Sequence, residues 1–254
     1  FTEPGMVCRV RKALYGLKQS GRLWNKHLHA DLTDMGLEQL QADPCLYQWR
    51  DGEKRVLMGV YVDDMIIATN CDSKKGEIQR MLQERYKMRG MSELGWVLNM
   101  RVTRDRENEI LYLDQDQYTQ EILADFNMEN SNPMPTPAAG PRLTKAMCPV
   151  TQDDREQMRG VPYSRAVGKL NYLACGTRPD IAQAVSDVSR FLANPGIMHW
   201  VAVKRIFRYL RNPSKGIRFD GKVGIHFSTY CDSDFAGEQD QRRSRTGYVT
   251  TMAG

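Results

Sequence analysis

At 254 residues, with 41% hydrophobic content and a formal net charge of +5, the chain is long enough for one large or two smaller packed units and has no compositional mark of disorder. No apolar run is long enough to span a bilayer, and Phe1-Thr2-Glu3-Pro4-Gly5 has neither the charged nor the apolar region of a secretory leader, so membrane and secretory classes drop out. The six cysteines are scattered, with no Cys-x-x-Cys pair and no histidine at zinc-finger spacing, which argues against a zinc module or disulfide framework and fits a reducing, intracellular compartment.

Residues 6–40 alternate basic and apolar positions, and Trp24, Leu28, Leu32 and Met35 recur at three- and four-residue spacing. That spacing predicts an amphipathic helix, closed by Gly36. Strands are expected at 45–49 and 56–62 around the turn-forming Asp51-Gly52, and a further apolar run at 65–68 follows Asp63-Asp64, giving a hairpin with two carboxylates at its tip. Residues 73–88 return to helix, with Ile78, Met81, Leu82 and Tyr86 as the apolar stripe. Two strand-like runs, 97–102 and 110–113, bracket the polar stretch 104–109, and a short helix follows at 117–126. The segment 130–149 holds Pro133, Pro135, Pro137, Pro141 and Pro149, which exclude regular structure and predict a linker or extended excursion. Helices are then expected at 164–174, at 181–192 behind the Pro179-Asp180 start signal, and at 199–211 before Pro213. Strands at 224–232 and 246–252, joined by the polar loop 235–245, open a new α/β unit, so the fold class is α+β.

The sharpest local signal is Tyr61-Val62-Asp63-Asp64 between two apolar strands. A hairpin tip holds adjacent carboxylates out of the core, and such oxygen ligands suit Mg²⁺. Two ions about 3.5 to 4 Å apart could activate a primer 3′-hydroxyl and stabilise a leaving pyrophosphate. Taken alone, Asp-Asp fits a simple turn filler equally well. In the predicted helix 199–211, Val203, Ile206, Phe207 and Leu210 share one face, while Lys204, Arg208 and Arg211 share another with Arg205 beside it. Such a stripe can track phosphates, although a solvated basic face produces the same pattern. The four histidines give no other enzyme class, because His27 and His29 point apart on a helix and His199 and His226 stand far away in sequence. Neither a Gly-x-Ser-x-Gly elbow nor a Walker loop is present.

Upstream of the carboxylates lies Ala13-Leu14-Tyr15-Gly16-Leu17-Lys18-Gln19-Ser20, and its order with Tyr61-Val62-Asp63-Asp64 resembles the palm of copia-type retrotransposon reverse transcriptases. The resemblance makes Asp63 and Asp64 the metal-binding pair and places Gln19, Lys18 and Tyr61 at the incoming nucleotide. The chain carries Ser20-Gly21 where that family usually has Ala-Pro. It continues through Glu93-Leu94-Gly95-Trp96-Val97-Leu98-Asn99-Met100, similar to the family's primer-grip hairpin, with Leu98 and Asn99 at the primer and Asn99 in place of a usual Gly. Tyr163-Ser164-Arg165-Ala166-Val167-Gly168-Lys169-Leu170, Thr177-Arg178-Pro179-Asp180-Ile181-Ala182 and His199-Trp200-Val201-Ala202-Val203-Lys204-Arg205 resemble the family's helical region after the palm. On this footing Lys204, Arg205, Arg208 and Arg211 would contact template-primer. Tyr230-Cys231-Asp232-Ser233-Asp234-Phe235-Ala236-Gly237 resembles the start of its ribonuclease H domain, with Asp232 as that domain's first metal ligand.

The resemblance implies a partial palm at 1–90, a primer-grip-like hairpin and first thumb helix at 91–129, a Pro-rich linker at 130–149, a helical thumb or connection at 150–222, and a ribonuclease H start at 223–254. It further implies an RNA-directed DNA polymerase using Mg²⁺, or Mn²⁺ in its place. The partners would be RNA or DNA template-primer, deoxynucleoside triphosphates, and the remaining polyprotein segments: fingers, the rest of the ribonuclease H domain and integrase. The setting would be a cytoplasmic virus-like particle and the nucleus. The chain begins without Met and stops at Met252-Ala253-Gly254, so both ends are expected to be cuts. The family's third polymerase carboxylate is expected upstream of Phe1, and the chain by itself is then expected to lack robust polymerase activity. A non-catalytic nucleic-acid-binding remnant of a degenerate element is the alternative. An unrelated protein would need several motif matches in the correct order by accident.

Overall fold

The stripe that begins at Trp24 folds as helix α1 (Ser20–Asp34) in the computed structural model, which describes residues 10–88, 90–213 and 216–253. The helix ends in a Schellman turn: Gly36 has φ 83°, Leu37 N–H bonds back to the Leu32 carbonyl, and Gly36 N–H to that of Thr33. Strands β1 (Glu38–Gln39), β2 (Leu46–Asp51), β3 (Lys54–Tyr61) and β4 (Asp64–Thr69) form an antiparallel sheet in that order, and helix α2 (Asp72–Arg85) follows. Side chains alternate across a strand, so Val56 and Met58 are fully buried while Leu57 between them faces out. Val56 and Met58 share one core with Leu28, Leu32, Ile78 and Leu82, which places α1 and α2 on the same face of the sheet. This is the first of two compact units, Phe1–Leu94 and Gly95–Gly254.

The second unit opens with β5 (Trp96–Val97), β6 (Met100–Asp105) and β7 (Ile110–Asp114), then α3 (Asp116–Asp125), α4 (Gln152–Met158), α5 (Tyr163–Gly176), α6 (Ala182–Ser189) and α7 (Ile197–Leu210). Strand β8 (Ile217–Asp220) returns to pair with β7, completing the antiparallel order β5-β6-β7-β8. Helices α3, α5, α6 and α7 bury Ile122, Leu170, Leu173, Val185, Val203 and Phe207 in a common core. A separate two-stranded ladder, β9 (Phe227–Ser233) with β10 (Thr246–Met252), exposes every residue of both strands.

Several expectations are revised at this level. The run 97–102 is not one strand, because a turn at Leu98-Asn99 divides it into β5 and β6. The span 150–222 is not wholly helical, since it ends in β8, whose four residues are too few for a period to register and which owes its form to β7. Helix α4 was unmarked by any apolar stripe and buries nothing, but Thr151 and Asp154 close a reciprocal capping box at its start. In the Thr177-Arg178-Pro179-Asp180 stretch the first two residues are buried and the last two exposed: Arg178, 6% exposed, pairs with Asp180 at 2.8 Å, and the Tyr209 hydroxyl donates to the same carboxylate. His199 is structural: it is fully buried, stacked 3.9 Å from Phe191, and its Nδ1 accepts the Gly196 N–H. No helix among the described residues is long and apolar enough to cross a membrane.

Candidate functional site

Register fixes the tip of the first unit's sheet. Tyr61 pairs with Asp64, so Val62 and Asp63 are the two turn residues between β3 and β4. Val62 has φ 53° and Asp63 does not share the positive sign, the pattern of a type II′ turn, whose first central position normally takes Gly. A β-branched residue in the left-handed region is an outlier that its surroundings must hold. Two contacts hold it: the Trp24 indole N–H donates to the Val62 carbonyl at 2.8 Å, and the Tyr15 hydroxyl donates to Asp63 Oδ2, also at 2.8 Å. That hydrogen bond and the charge of Asp63 raise the Tyr15 pKa, keeping the phenol a donor.

Trp24 is braced from behind. Its ring meets Tyr86 edge-on at 5.4 Å, and the Tyr86 hydroxyl donates to Asp31. Arg85 donates to Asp31 at 2.6 Å and also to Asp34, so the last turn of α2 is tied to α1. The Tyr86 hydrogen bond, then Arg85, hold the Asp31 carboxyl below its usual range. An open cavity of about 990 Å³ lies here, with Tyr15, Leu17, Trp24, Val62, Asp63 and Met65 in its wall. Asp63 and Asp64 are both exposed, and the Asp64 side chain has no hydrogen bond among the described residues. With one oxygen of Asp63 engaged by Tyr15, the tip presents hard carboxylate oxygens of the kind Mg²⁺ accepts alongside water and phosphate oxygens. Among the described residues no group of three or more His, Cys, Asp or Glu side chains converges on a metal position, so the tip fits part of a coordination shell.

Tyr61 is 60% exposed at the end of β3. Lys18 and Gln19 are exposed, with Gln19 at the N-cap of α1, and neither lines the cavity although their neighbours Leu17 and Ser20 do. The sequence marks Trp24 only as part of the apolar stripe of α1 and gives neither it nor Tyr15 a role at the site. Their place within two helical turns of Gln19 was the available signal, but nothing local to them points to a turn about forty residues away.

In the second unit Leu98 and Asn99 have φ 48° and 57°, a type I′ turn between β5 and β6. The Tyr172 hydroxyl of α5 donates to the Leu98 carbonyl at 2.6 Å, fixing that turn. On α7, Arg205 donates to Thr136 at 2.9 Å and Arg208 to the Asn132 carbonyl at 2.7 Å. Both guanidinium groups thus pin the proline-bearing segment, whereas Lys204 and Arg211 have no partner among the described residues. Asp232 stands exposed on β9 opposite Gly247, with Oδ1 taking the Ser233 N–H at 2.9 Å. Asp234 accepts the Arg245 N–H at 2.6 Å, closing the 235–245 loop.

The family described as reverse transcriptase (RNA-dependent DNA polymerase) matches residues 2–140, which include the carboxylate turn and its cleft. A retrovirus-related Pol polyprotein from transposon TNT 1-94 of Nicotiana tabacum is 40% identical over 251 residues, 98% of this chain and 19% of that protein. The Pol polyprotein from transposon RE2 of Arabidopsis thaliana is 35% identical, again over 98% of this chain, and 17% of its own length. A transposon Ty5-1 protein of Saccharomyces cerevisiae is 26% identical over 99% of this chain and 80% of its own length. The chain therefore spans about a fifth of the length of the plant polyproteins it matches. No solved structure matches it. Two carboxylates on a strained hairpin tip above an open cleft, in a chain that aligns from end to end with these proteins, place it in the reverse transcriptase family of copia-type retrotransposons.

Proposed function

We propose that this chain supplies part of the nucleotidyl-transfer centre of an RNA-directed DNA polymerase, with Asp63 and Asp64 as the carboxylates that hold divalent cations. The observation that carries this reading is that both side chains are exposed on the β3–β4 tip, with Asp63 in the wall of a cavity of about 990 Å³. Bound Mg²⁺ would supply charge stabilisation for in-line attack of a primer 3′-hydroxyl on a nucleoside triphosphate. The chain's own part is to aim Asp63 through the turn, to bring Gln19, Lys18 and Tyr61 toward the nucleotide, and to set primer with the Leu98-Asn99 turn. Of the basic residues on α7, Lys204 and Arg211 are the better phosphate contacts, because Arg205 and Arg208 already serve the 130–149 segment.

In this reading the first unit is a partial palm, α3 to α7 a thumb or connection, and β9–β10 the first hairpin of a ribonuclease H domain with Asp232 as a ligand. Template-primer and deoxynucleoside triphosphates are the substrates. Because two carboxylates meet at the tip and no third joins them among the described residues, the chain alone should extend primers poorly. The test is primer extension by a longer polypeptide that continues upstream of Phe1. There Asp63→Asn should reduce the rate by more than about a hundredfold, exceeding the usual loss for a mere supporting partner of a ligand; undiminished extension would overturn the assignment.

A further inference from the structure

We propose that Tyr15 and Trp24 are positioning residues for Asp63, a clamp in which the indole sets the backbone of the turn and the phenol sets the carboxylate. The inference rests on the reading of Asp63 as a cation ligand. Its starting point is that the turn is not one its own sequence prefers: Val62 sits at φ 53° with its side chain 57% exposed, so no packing of the valine explains the conformation. The Trp24 N–H on the Val62 carbonyl supplies an external cause, and Trp24 cannot swing away freely because Tyr86 backs its ring.

Tyr15 carries the second half of the argument. It is 90% exposed, so its ring adds almost nothing to a core, and its one side-chain hydrogen bond goes to Asp63 Oδ2. Holding Oδ2 restricts the carboxylate to one orientation and leaves Oδ1 as the donor for a cation, so Asp63 would bind through a single oxygen. Outer partners of this kind orient a ligand without touching the metal, and removing one weakens metal affinity by about 10- to 100-fold. Tyr15 also stands four residues before Gln19, which couples the segment assigned to the nucleotide with the carboxylate assigned to the cation.

The test is a Mn²⁺ titration of the 254-residue chain, followed by electron paramagnetic resonance of the free ion, for the native sequence and for Asp63→Asn, Tyr15→Phe and Trp24→Phe. Tyr15→Phe should weaken Mn²⁺ binding about tenfold while its thermal melt stays at the native value, because an exposed phenol contributes little to folding. Trp24→Phe, which keeps an aromatic ring against Tyr86 but deletes the donor, should weaken binding in the same direction. Native affinity in Tyr15→Phe, with binding abolished in Asp63→Asn, would overturn the clamp and leave Asp63 as ligand. Native affinity in Asp63→Asn would instead remove the reading on which the clamp depends.

Discussion

Val62 and His199 show how single residues carry conditions that the surrounding structure must meet. A left-handed conformation costs an L-residue about 1–2 kcal/mol, and glycine in its place costs about 0.5–1 kcal/mol in chain entropy. Val62 is 57% exposed at φ 53°, so little burial is lost on truncation. Val62→Gly should therefore stabilise the first unit by about 1 kcal/mol in urea unfolding; a lower midpoint would mean that the native turn is not strained. His199 is held neutral chiefly by burial, with Arg190 adding to the depression and the Thr144 carbonyl and Asp240 opposing it. In the unfolded chain it takes a proton below about pH 6.5, and in the folded chain it resists doing so. The unfolded state then binds more protons, so this contribution to stability is complete above about pH 6.5 and falls away on acidification. His199→Gln should flatten the decline in urea midpoint between about pH 7 and 5, and an unchanged slope would exclude His199 as its source.

At the scale of elements, close approach rather than backbone angle governs Gly196. Its φ of −101° suits any residue, but a Cβ there would run into the Met147 carbonyl oxygen, which belongs to a 3-10 turn at Lys145–Met147. Neither backbone can yield independently, so Gly196→Ala should destabilise the second unit by about 2–3 kcal/mol, read from its unfolding midpoint; a change under half of that would show that the turn gives way. Gly196 also illustrates what the sequence leaves unreadable. The stripes of α1 and α7 were legible because each helix buries residues at its own period: Leu28 and Leu32 in one, Val203, Ile206, Phe207 and Leu210 in the other. Strand β8 was not, because its partner β7 lies about a hundred residues earlier and supplies the order that four residues lack. The carboxylate tip was legible as a local pattern, whereas its supports span 38 and 48 residues of sequence, and a tyrosine or tryptophan carries no local mark of such a partner. The basic face of α7 reads the same from sequence whether it meets phosphate or chain, and only the Thr136 and Asn132 contacts separate Arg205 and Arg208 from Lys204 and Arg211.

Over the molecule as a whole, burial is unevenly distributed, and that sets where the chain opens first. Strand β3 contributes Val56 and Met58 to a core at 0% exposure, and α7 buries five side chains. The β9–β10 ladder buries none: Tyr230 is 70% exposed, Tyr248 76% and Val249 62%. A two-stranded ladder of this kind is marginal in water by itself. It is tethered at both ends: in the loop between the strands Arg245 pairs with Asp187 at 2.7 Å and Arg190 with Asp240 at 2.9 Å and with Glu238, and just past β10 the Asp220 N–H donates to the Ala253 carbonyl at 2.7 Å. Partly exposed ion pairs contribute little each, so they restrain the loop's position more than they stabilise the ladder. Opening free energies within one protein run from near zero to the global value, and a gap of about 4 kcal/mol is roughly a thousandfold in exchange protection. Hydrogen exchange at neutral pH should accordingly find β9 and β10 amides at least about a thousandfold less protected than those of β3 and α7. Equal protection would mean that the ladder opens only with the helical core, and its stability would then have to come through these few tethers, making them far stronger than their number and exposure allow.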